Sequence, residues 1–225
     1  MTSRSFIVAI DGPAASGKGT LARRLAERFH FAHLDTGKLY RATASSVLER
    51  GEDPADPEAT VAAARRIDPA TLADPALLSE RVARASSIVS AIPLVREALL
   101  AMQRDFAAHP PHPAGGAPPQ GAVLDGRDIG TAVCPDAAVK LFVTANPEAR
   151  ACRRLAELRE RGMPAIYRDV LADMKERDAR DSERRVAPLA AAPDAVTIDT
   201  TGLDADQVFE RASKLILRAL AAHGS

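Results

Sequence analysis

The sequence predicts an α/β fold, a three-layer arrangement in which helices flank a central parallel sheet, and three observations predict it. Phe6, Ile7, Val8, Ala9 and Ile10 form a continuous apolar run, the pattern of a strand covered on both faces. Further apolar runs of strand length recur at Ala122 to Leu124, Val139 to Val143 and Ala195 to Ile198. Helical or irregular stretches separate these runs, and such alternation argues for parallel strands joined by crossovers.

Taken in order, the first strand ends in Asp11-Gly12-Pro13. From Lys18 onward, Leu21, Leu25 and Phe29 recur at helical spacing, with Arg23, Arg24, Glu27 and Arg28 between them, so a helix follows a glycine-rich turn. A second short apolar segment leads into Leu34-Asp35-Thr36, which puts Thr36 at a strand end and Arg41 about one turn into the next helix. Further helices are expected over Pro75 to Ala108 with a break at Pro93, Pro147 to Arg161, Ala165 to Arg180, and Asp204 to Ala222. In the third of these, Ile166, Val170, Leu171 and Met174 make a candidate buried stripe. The stretch from His109 to Gln120, HPPHPAGGAPPQ, is too rich in proline and glycine for a helix or an interior strand and reads as a connecting loop.

At 225 residues the chain suits one α/β domain with its own core and small insertions. Lys+Arg and Asp+Glu balance at 30 each, so no global field recommends nucleic acid or an anionic membrane as partner, and anion binding has to be local. Cys134 and Cys152 form no CxxC pair, which fits a reducing compartment. The apolar run at Phe6 is interrupted by Asp11 long before it spans a bilayer, and no signal-peptide pattern precedes it. A cytoplasmic, monomeric protein is the expectation.

Gly12-Pro13-Ala14-Ala15-Ser16-Gly17-Lys18-Gly19-Thr20 has the form of a phosphate-binding P-loop. Gly12 and Gly17 let the chain curl until successive N–H groups point inward, Lys18 reaches toward the β- and γ-phosphates, and the following helix aims its positive end at the same anion. The general pattern has Ser or Thr directly after the lysine, whereas Gly19 stands there and Thr20 comes next. Either Thr20 or water therefore supplies the oxygen to Mg²⁺. The motif establishes nucleoside triphosphate binding and leaves open what is done with it.

A later strand ends at Leu124-Asp125-Gly126-Arg127-Asp128, where Gly126 allows a tight turn. Strand ends of an open α/β sheet are where ligands bind, so Arg41 and Arg127 become candidates to flank an acceptor phosphate. Arg177, Asp181 and Arg184 stand at i, i+4 and i+7 and share one face while a helix lasts. Phosphoryl transfer needs positive charge around the moving group and little covalent chemistry, and arginines on a closing lid meet that need. A phosphate acceptor is already an anionic nucleophile, so no catalytic carboxylate is required.

The segments GPAASGKGT, LDTGKLYR, SIVSAIPLVREALL, LDGRDIGT and KERDARDSERRVAPL, in this order, resemble those of the bacterial cytidylate kinases. The resemblance covers most of the chain. It implies transfer of the γ-phosphoryl of ATP to CMP or dCMP with Mg²⁺, with Lys18, Arg127 and Arg177 as the catalytic cations. It further implies that Gly12 to Thr20 hold ATP with help from Arg153 and Arg154, and that Arg41, Arg127 and Arg177 hold the acceptor phosphate. Ser87, Arg96 and Asp128 fall where the family reads cytosine, with Thr36 near that pocket, and Asp181 and Arg184 match positions that hold the ribose. The P-loop nucleoside monophosphate kinase organisation it implies is a core, a monophosphate-binding insertion over residues 37–90 and a lid over 155–185.

Two departures stand out. Between Arg50 and Ser86 the chain is shorter than the family's usual insertion and lacks strand-rich sequence, and the loop at His109 to Gln120 is extra. The pairs His30/His33 and His109/His112 have no accompanying ligands at zinc-site spacing. A kinase for UMP or AMP, and an ATP-binding switch without catalysis, remain as alternatives.

Overall fold

The computed structural model describes residues 5–112 and 116–223. Part of the proline-rich loop, residues 113–115, lies outside the described residues. Two compact units are formed, one from the chain up to Leu34 together with the chain from Ala107, the other from Asp35–Phe106.

The first unit carries a five-stranded sheet built from β1 (Phe6–Asp11), β2 (Ala32–Asp35), β3 (Gly121–Gly126), β4 (Val139–Thr144) and β5 (Val196–Asp199), in the order β2-β3-β1-β4-β5. β1 pairs in parallel with β3 and with β4, and β4 pairs in parallel with β5. β1 is thus hydrogen-bonded along both edges, which explains its unbroken apolar run. The helix α1 (Lys18–Phe29) packs Leu21, Leu25 and Phe29 into one core with Val8, Ile10, Leu141 and Val143 of the sheet. Val208, Ala212 and Ile216 of the last helix, Ala205–His223, join the same core. Ile10, Leu25, Leu141 and Ile216 are fully buried, worth about 2 kcal/mol each.

The second unit consists of helices: α2 (Thr36–Glu49), α3 (Pro57–Ala64), 3₁₀ turns at Pro69–Ala73 and Pro75–Leu78, α4 (Glu80–Val89), and α5 (Pro93–Ala108), whose last residues belong to the first unit. The expected helix from Pro75 to Ala108 is divided twice. Ser79 is extended (ψ 150°) and accepts the Val82 N–H, so a new helix starts there. Pro93 supplies the second break, and α4 and α5 meet at a bend of 100°.

Helix α3 has no clear apolar stripe and is set by local chemistry instead. Asp56, Asp68 and Asp74 each precede a proline, and each carboxylate accepts the N–H two residues on, at 2.9, 2.9 and 2.8 Å. Asp at the N-cap with Pro at the first helical position starts a turn wherever it occurs.

Back in the first unit, α6 (Pro147–Glu160) and α7 (Tyr167–Ser182) bury Ala151, Leu158, Val170 and Met174 against one another. The expected stripe is thereby corrected: Ile166 is 67% exposed because α7 begins one residue after it, and Leu171 is only partly buried. The final helix, Ala205–His223, is α8. Among the described residues no single helix is long and apolar enough to cross a membrane.

Gly121 opens β3 with no room for a side chain, since a Cβ there would lie 2.3 Å from the Phe6 carbonyl oxygen and 3.1 Å from the Phe31 ring. Gly121→Ala is expected to lower unfolding free energy by about 2 kcal/mol in urea titration. Gly202→Ala, where a Cβ would meet nothing within 4 Å, should stay near wild type. Equal behaviour of the two variants would contradict this account of the β1–β3 edge.

Candidate active site

The phosphate loop leaves the sheet through a tight turn. Gly12 has φ 153°, and a Cβ on it would sit 2.0 Å from the Val143 carbonyl oxygen of β4. Ala15 and Gly17 also have positive φ, 56° and 92°, and Gly17 caps α1. An alanine in that region costs about 1 kcal/mol or more, so the surrounding structure has to impose it.

The imposing groups lie on the carbonyl side of the loop. Arg150 donates to the Ala14 carbonyl at 3.3 Å, and Arg153 to the Ser16 carbonyl at 3.4 Å. Thr200 Oγ1, directly after β5, lies 3.0 Å from the same Ser16 oxygen and accepts from Arg153 at 2.8 Å. In a trans peptide the next N–H points opposite the carbonyl, so these contacts turn the Ala15 and Gly17 N–H groups the other way. Lys18 begins α1 and donates to the Pro13 carbonyl at 3.4 Å, while Thr20 is exposed two residues further on. The Ser16 hydroxyl is fully buried and has no hydrogen-bond partner among the described residues.

A second loop leaves the adjacent strand. Gly126, the last residue of β3, is in register with Asp11 at the end of β1, so Arg127 emerges beside the phosphate loop. Its Nε donates to Asp181 Oδ2 at 2.8 Å, with both side chains largely buried. Arg184 lies just beyond the end of α7 yet folds back, with Nε donating to the Asp181 carbonyl at 3.1 Å and its fork 3.6 Å from the Asp181 carboxylate. Burial alone would raise the Asp181 pKa, but Arg127, Arg177 and Arg184 outweigh it and hold the carboxyl below the usual range. Asp181 is therefore paired with Arg127 and approached by Arg184, which reaches it from beyond Ser182, where the helix stops, and not from the helical face expected for 177, 181 and 184.

Asp11 is 4% exposed and accepts the N–H groups of Ile129 and Gly130, each at 2.7 Å. Burial pushes its pKa up to about 6, against the two N–H bonds and Lys18, which lower it. With a folded value above the ordinary 3.8, this group favours the folded state below about pH 4, and that advantage is lost as pH rises through about 6. Asp125, also buried, accepts from His33 Nε2 at 2.8 Å, and its other oxygen lies 3.8 Å from where a Cβ on Gly19 would stand.

Within the second unit, Thr36 is the first residue of α2 and is buried, and Arg41 on the same helix donates to the Leu77 carbonyl at 2.9 Å. Ser87 is buried on α4. Arg96 on α5 is buried, donates to the Ser90 carbonyl at 3.1 Å and lies over the Tyr40 ring with its guanidinium carbon 5.3 Å from the centroid. Of the two α6 arginines named from the sequence, Arg153 reaches the phosphate loop and Arg154 pairs with Glu157 at 2.6 Å on its own helix.

Sequence reasoning did not single out Asp11 as an anchor, nor Asp125, His33, Arg150, Asp178 or Thr200. Arg150 is the furthest-reaching of these. Besides Ala14 it donates to the Ala145 carbonyl at 2.9 Å and makes a two-pronged pair with Asp178 of α7 at 3.1 and 2.7 Å. Arg150→Gln leaves a partly buried carboxylate without its cation and frees two carbonyls, so a loss of about 2–3 kcal/mol in unfolding free energy is expected, with a raised KM for ATP. Arg150→Lys keeps the charge without the fork and should fall between. Urea titration and steady-state kinetics of both variants check this ordering, which a lysine variant as poor as the glutamine variant would contradict.

The cytidylate kinase family model matches residues 8–218. A cytidylate kinase of Rhodospirillum rubrum is 60% identical over 211 residues, covering 94% of this chain and 97% of that protein. One from Paramagnetospirillum magneticum is 58% identical over 212 residues, covering 94% and 98%. The crystal structure of an uncharacterized protein from Eubacterium ventriosum aligns with TM-score 0.52 at 14% identity over 94% of this chain and 98% of its own, a likeness of fold alone. A family match over almost the whole chain, with relatives this similar along nearly their full length, leaves one conclusion: this chain belongs to the cytidylate kinase family.

Proposed function

We propose that this protein transfers the γ-phosphoryl group of ATP to the 5′-phosphate of CMP or dCMP, giving ADP and CDP or dCDP. The observation that carries the reading is the pairing of two loops on neighbouring parallel strands, the phosphate loop after β1 and the Arg127 loop after β3, aligned through Asp11 and Gly126. A donor site and an acceptor cation then sit side by side, as in-line displacement requires.

In this reading the N–H groups of the Gly12–Thr20 loop and Lys18 bind the triphosphate. Arg127, Arg177 and Arg41 hold the acceptor phosphate and neutralise charge on the equatorial oxygens during transfer. The bond between the γ-phosphorus and the β,γ-bridging oxygen breaks as an acceptor phosphate oxygen bonds to the same phosphorus, so no proton has to be removed from the nucleophile. Asp181 keeps Arg127 extended and charged, and with Arg184 it receives the ribose. Arg153 serves ATP by holding the Ser16 carbonyl, and Arg154 is left with its Glu157 partner.

Cytosine has an N4 amino donor beside N3 and O2 acceptors, and Asp128, Ser87 and Arg96 supply the complementary groups, with Thr36 near the base. UMP offers O4 where CMP has its amino group, which leaves the Asp128 carboxylate facing another acceptor. Residues 37–90 are the monophosphate-binding insertion and residues 155–185 the lid in this scheme.

Mg²⁺ suits the oxygen donors present: the Thr20 hydroxyl is exposed on α1, and the Asp125 carboxylate lies close to Gly19. Held there, Mg²⁺ would offset negative charge on the triphosphate. A cytoplasmic monomer belongs to the same proposal, supported for the compartment by two free cysteines, Cys134 and Cys152.

A coupled ADP-release assay across CMP, dCMP, UMP and AMP tests the function. CMP and dCMP should be used at low concentration and UMP and AMP poorly. Comparable kcat/KM for UMP or AMP would favour the wider-specificity kinase, and ATP binding with no acceptor phosphorylated would favour the switch. Lys18→Ala is expected to lower kcat by about a thousandfold, and Arg127→Ala to lower kcat/KM for CMP by about ten- to a hundredfold with ATP binding retained. Wild-type kinetics in either variant would remove its assigned role.

A further inference from the structure

The loop after β3 is held at two places, and the two residues assigned to the acceptor lie between them. At one end, the β1–β3 ladder runs as far as Gly126, opposite Asp11. At the other, the Asp11 carboxylate takes the Ile129 and Gly130 N–H groups, one on each oxygen, both at 2.7 Å. Only Arg127 and Asp128 span the gap.

These two N–H groups open a wide helical turn over Ile129–Val133, in which the Asp128 carbonyl accepts from Ala132 at 2.9 Å and from Val133 at 3.2 Å. The first amides of such a turn have no partner within it. Here they are satisfied from another strand, by a residue 118 positions away in the case of Ile129. Gly130 fits this contact closely, since a Cβ on it would lie 3.4 Å from Asp11 Oδ2 and 3.2 Å from the Lys140 chain. The next residue after Asp11 is Gly12, where the phosphate loop begins, so one side chain joins the donor loop to the acceptor loop.

We propose that Asp11 is a positioning residue for the transfer: by holding Ile129 and Gly130 it sets where Arg127 and Asp128 stand relative to the phosphate loop that starts at Gly12. This inference rests on the acceptor roles given above to Arg127 and Asp128. Burial works against the charge of Asp11 near neutral pH, so stability alone does not account for a carboxylate at this place. An amide there has one accepting oxygen, and its NH₂ confronts the second N–H donor.

Asp11→Asn is therefore the test, read by acceptor and donor separately. Its kcat/KM for CMP is expected to drop about tenfold or more, while ATP affinity measured without acceptor stays within about twofold. Amide hydrogen exchange at Ile129 and Gly130 should speed up while Val8 and Val123 keep their protection. The double variant with Arg127→Ala should lose less than the product of the single losses, because both changes act on one loop. Parallel losses in ATP and CMP binding, unaltered exchange at Ile129 and Gly130, or losses that simply multiply would each overturn the proposal. Should Asp11→Asn fail to fold, Gly130→Ala presses on the same contact from the loop side and is expected to show the same acceptor-directed loss. Wild-type CMP kinetics in Arg127→Ala would sink the acceptor reading itself. In that event a selective loss of CMP kcat/KM in Asp11→Asn still supports Asp11 as a positioning residue, and its absence overturns it.

Discussion

The constraint on which the rest of the catalytic unit depends is the parallel pairing of β1 along both of its edges. Parallel strands end on the same side of a sheet, so every segment that leaves them emerges at one edge. Gly12 leaves β1, Arg127 leaves β3, the Ala145 carbonyl that Arg150 holds follows β4, and Thr200 follows β5. A strand covered on both edges leaves little space for its own exit, which is why the first residue out has to be a glycine with Val143 against it.

Gathering at one edge brings charge into a buried place, and that charge has to be matched. Arg127 and Asp181 are both mostly hidden from water, as is Arg150 beside Asp178. Removing such ions from water costs several kcal/mol each, and the pairs roughly offset that cost rather than add stability. What they supply is orientation. A guanidinium gripped by a carboxylate on one side and carbonyls on the other has few rotamers left, and groups held in place before the reaction need little rearrangement during it.

Much of this was legible in the sequence, for reasons that differ by element. The phosphate loop announces itself because glycine spacing, a preceding apolar run and a following helix are all local. Arg127 was legible for the same reason, lying directly past a strand. Arg177, Asp181 and Arg184 were legible as helix spacing, although the turn that folds Arg184 back past Ser182 was not. Helix α3 escaped notice because it has no apolar stripe, while its actual signal, Asp before Pro, repeats at Asp56, Asp68 and Asp74. Ile166 was placed inside because periodicity does not say where a helix starts. Asp11 with Ile129, Arg150 with Ala14 and Asp178, and Arg153 with Thr200 carry no local signal. They join residues brought together by strand order, and strand order is not a periodicity.

Those long-range contacts share a form that bears on how the unit works. Arg150 and Arg153 touch the carbonyl side of the phosphate loop, and Asp11 touches the amide side of the loop after β3. In each case a side chain acts on backbone, so the groups that would meet the nucleotides are shaped by residues behind them. Arg150 extends this to α7, since Asp178 is the sequence neighbour of Arg177 and lies about one turn before Asp181. Gripping Asp178 therefore ties α7 to the same guanidinium that holds the Ala14 carbonyl, about one turn from Asp181 and its partner Arg127. One guanidinium thus joins the loop after β1 to the helix that carries Asp181. The arginine-rich helix is thereby fastened to the core at Asp178 as well as through the Asp181–Arg127 pair.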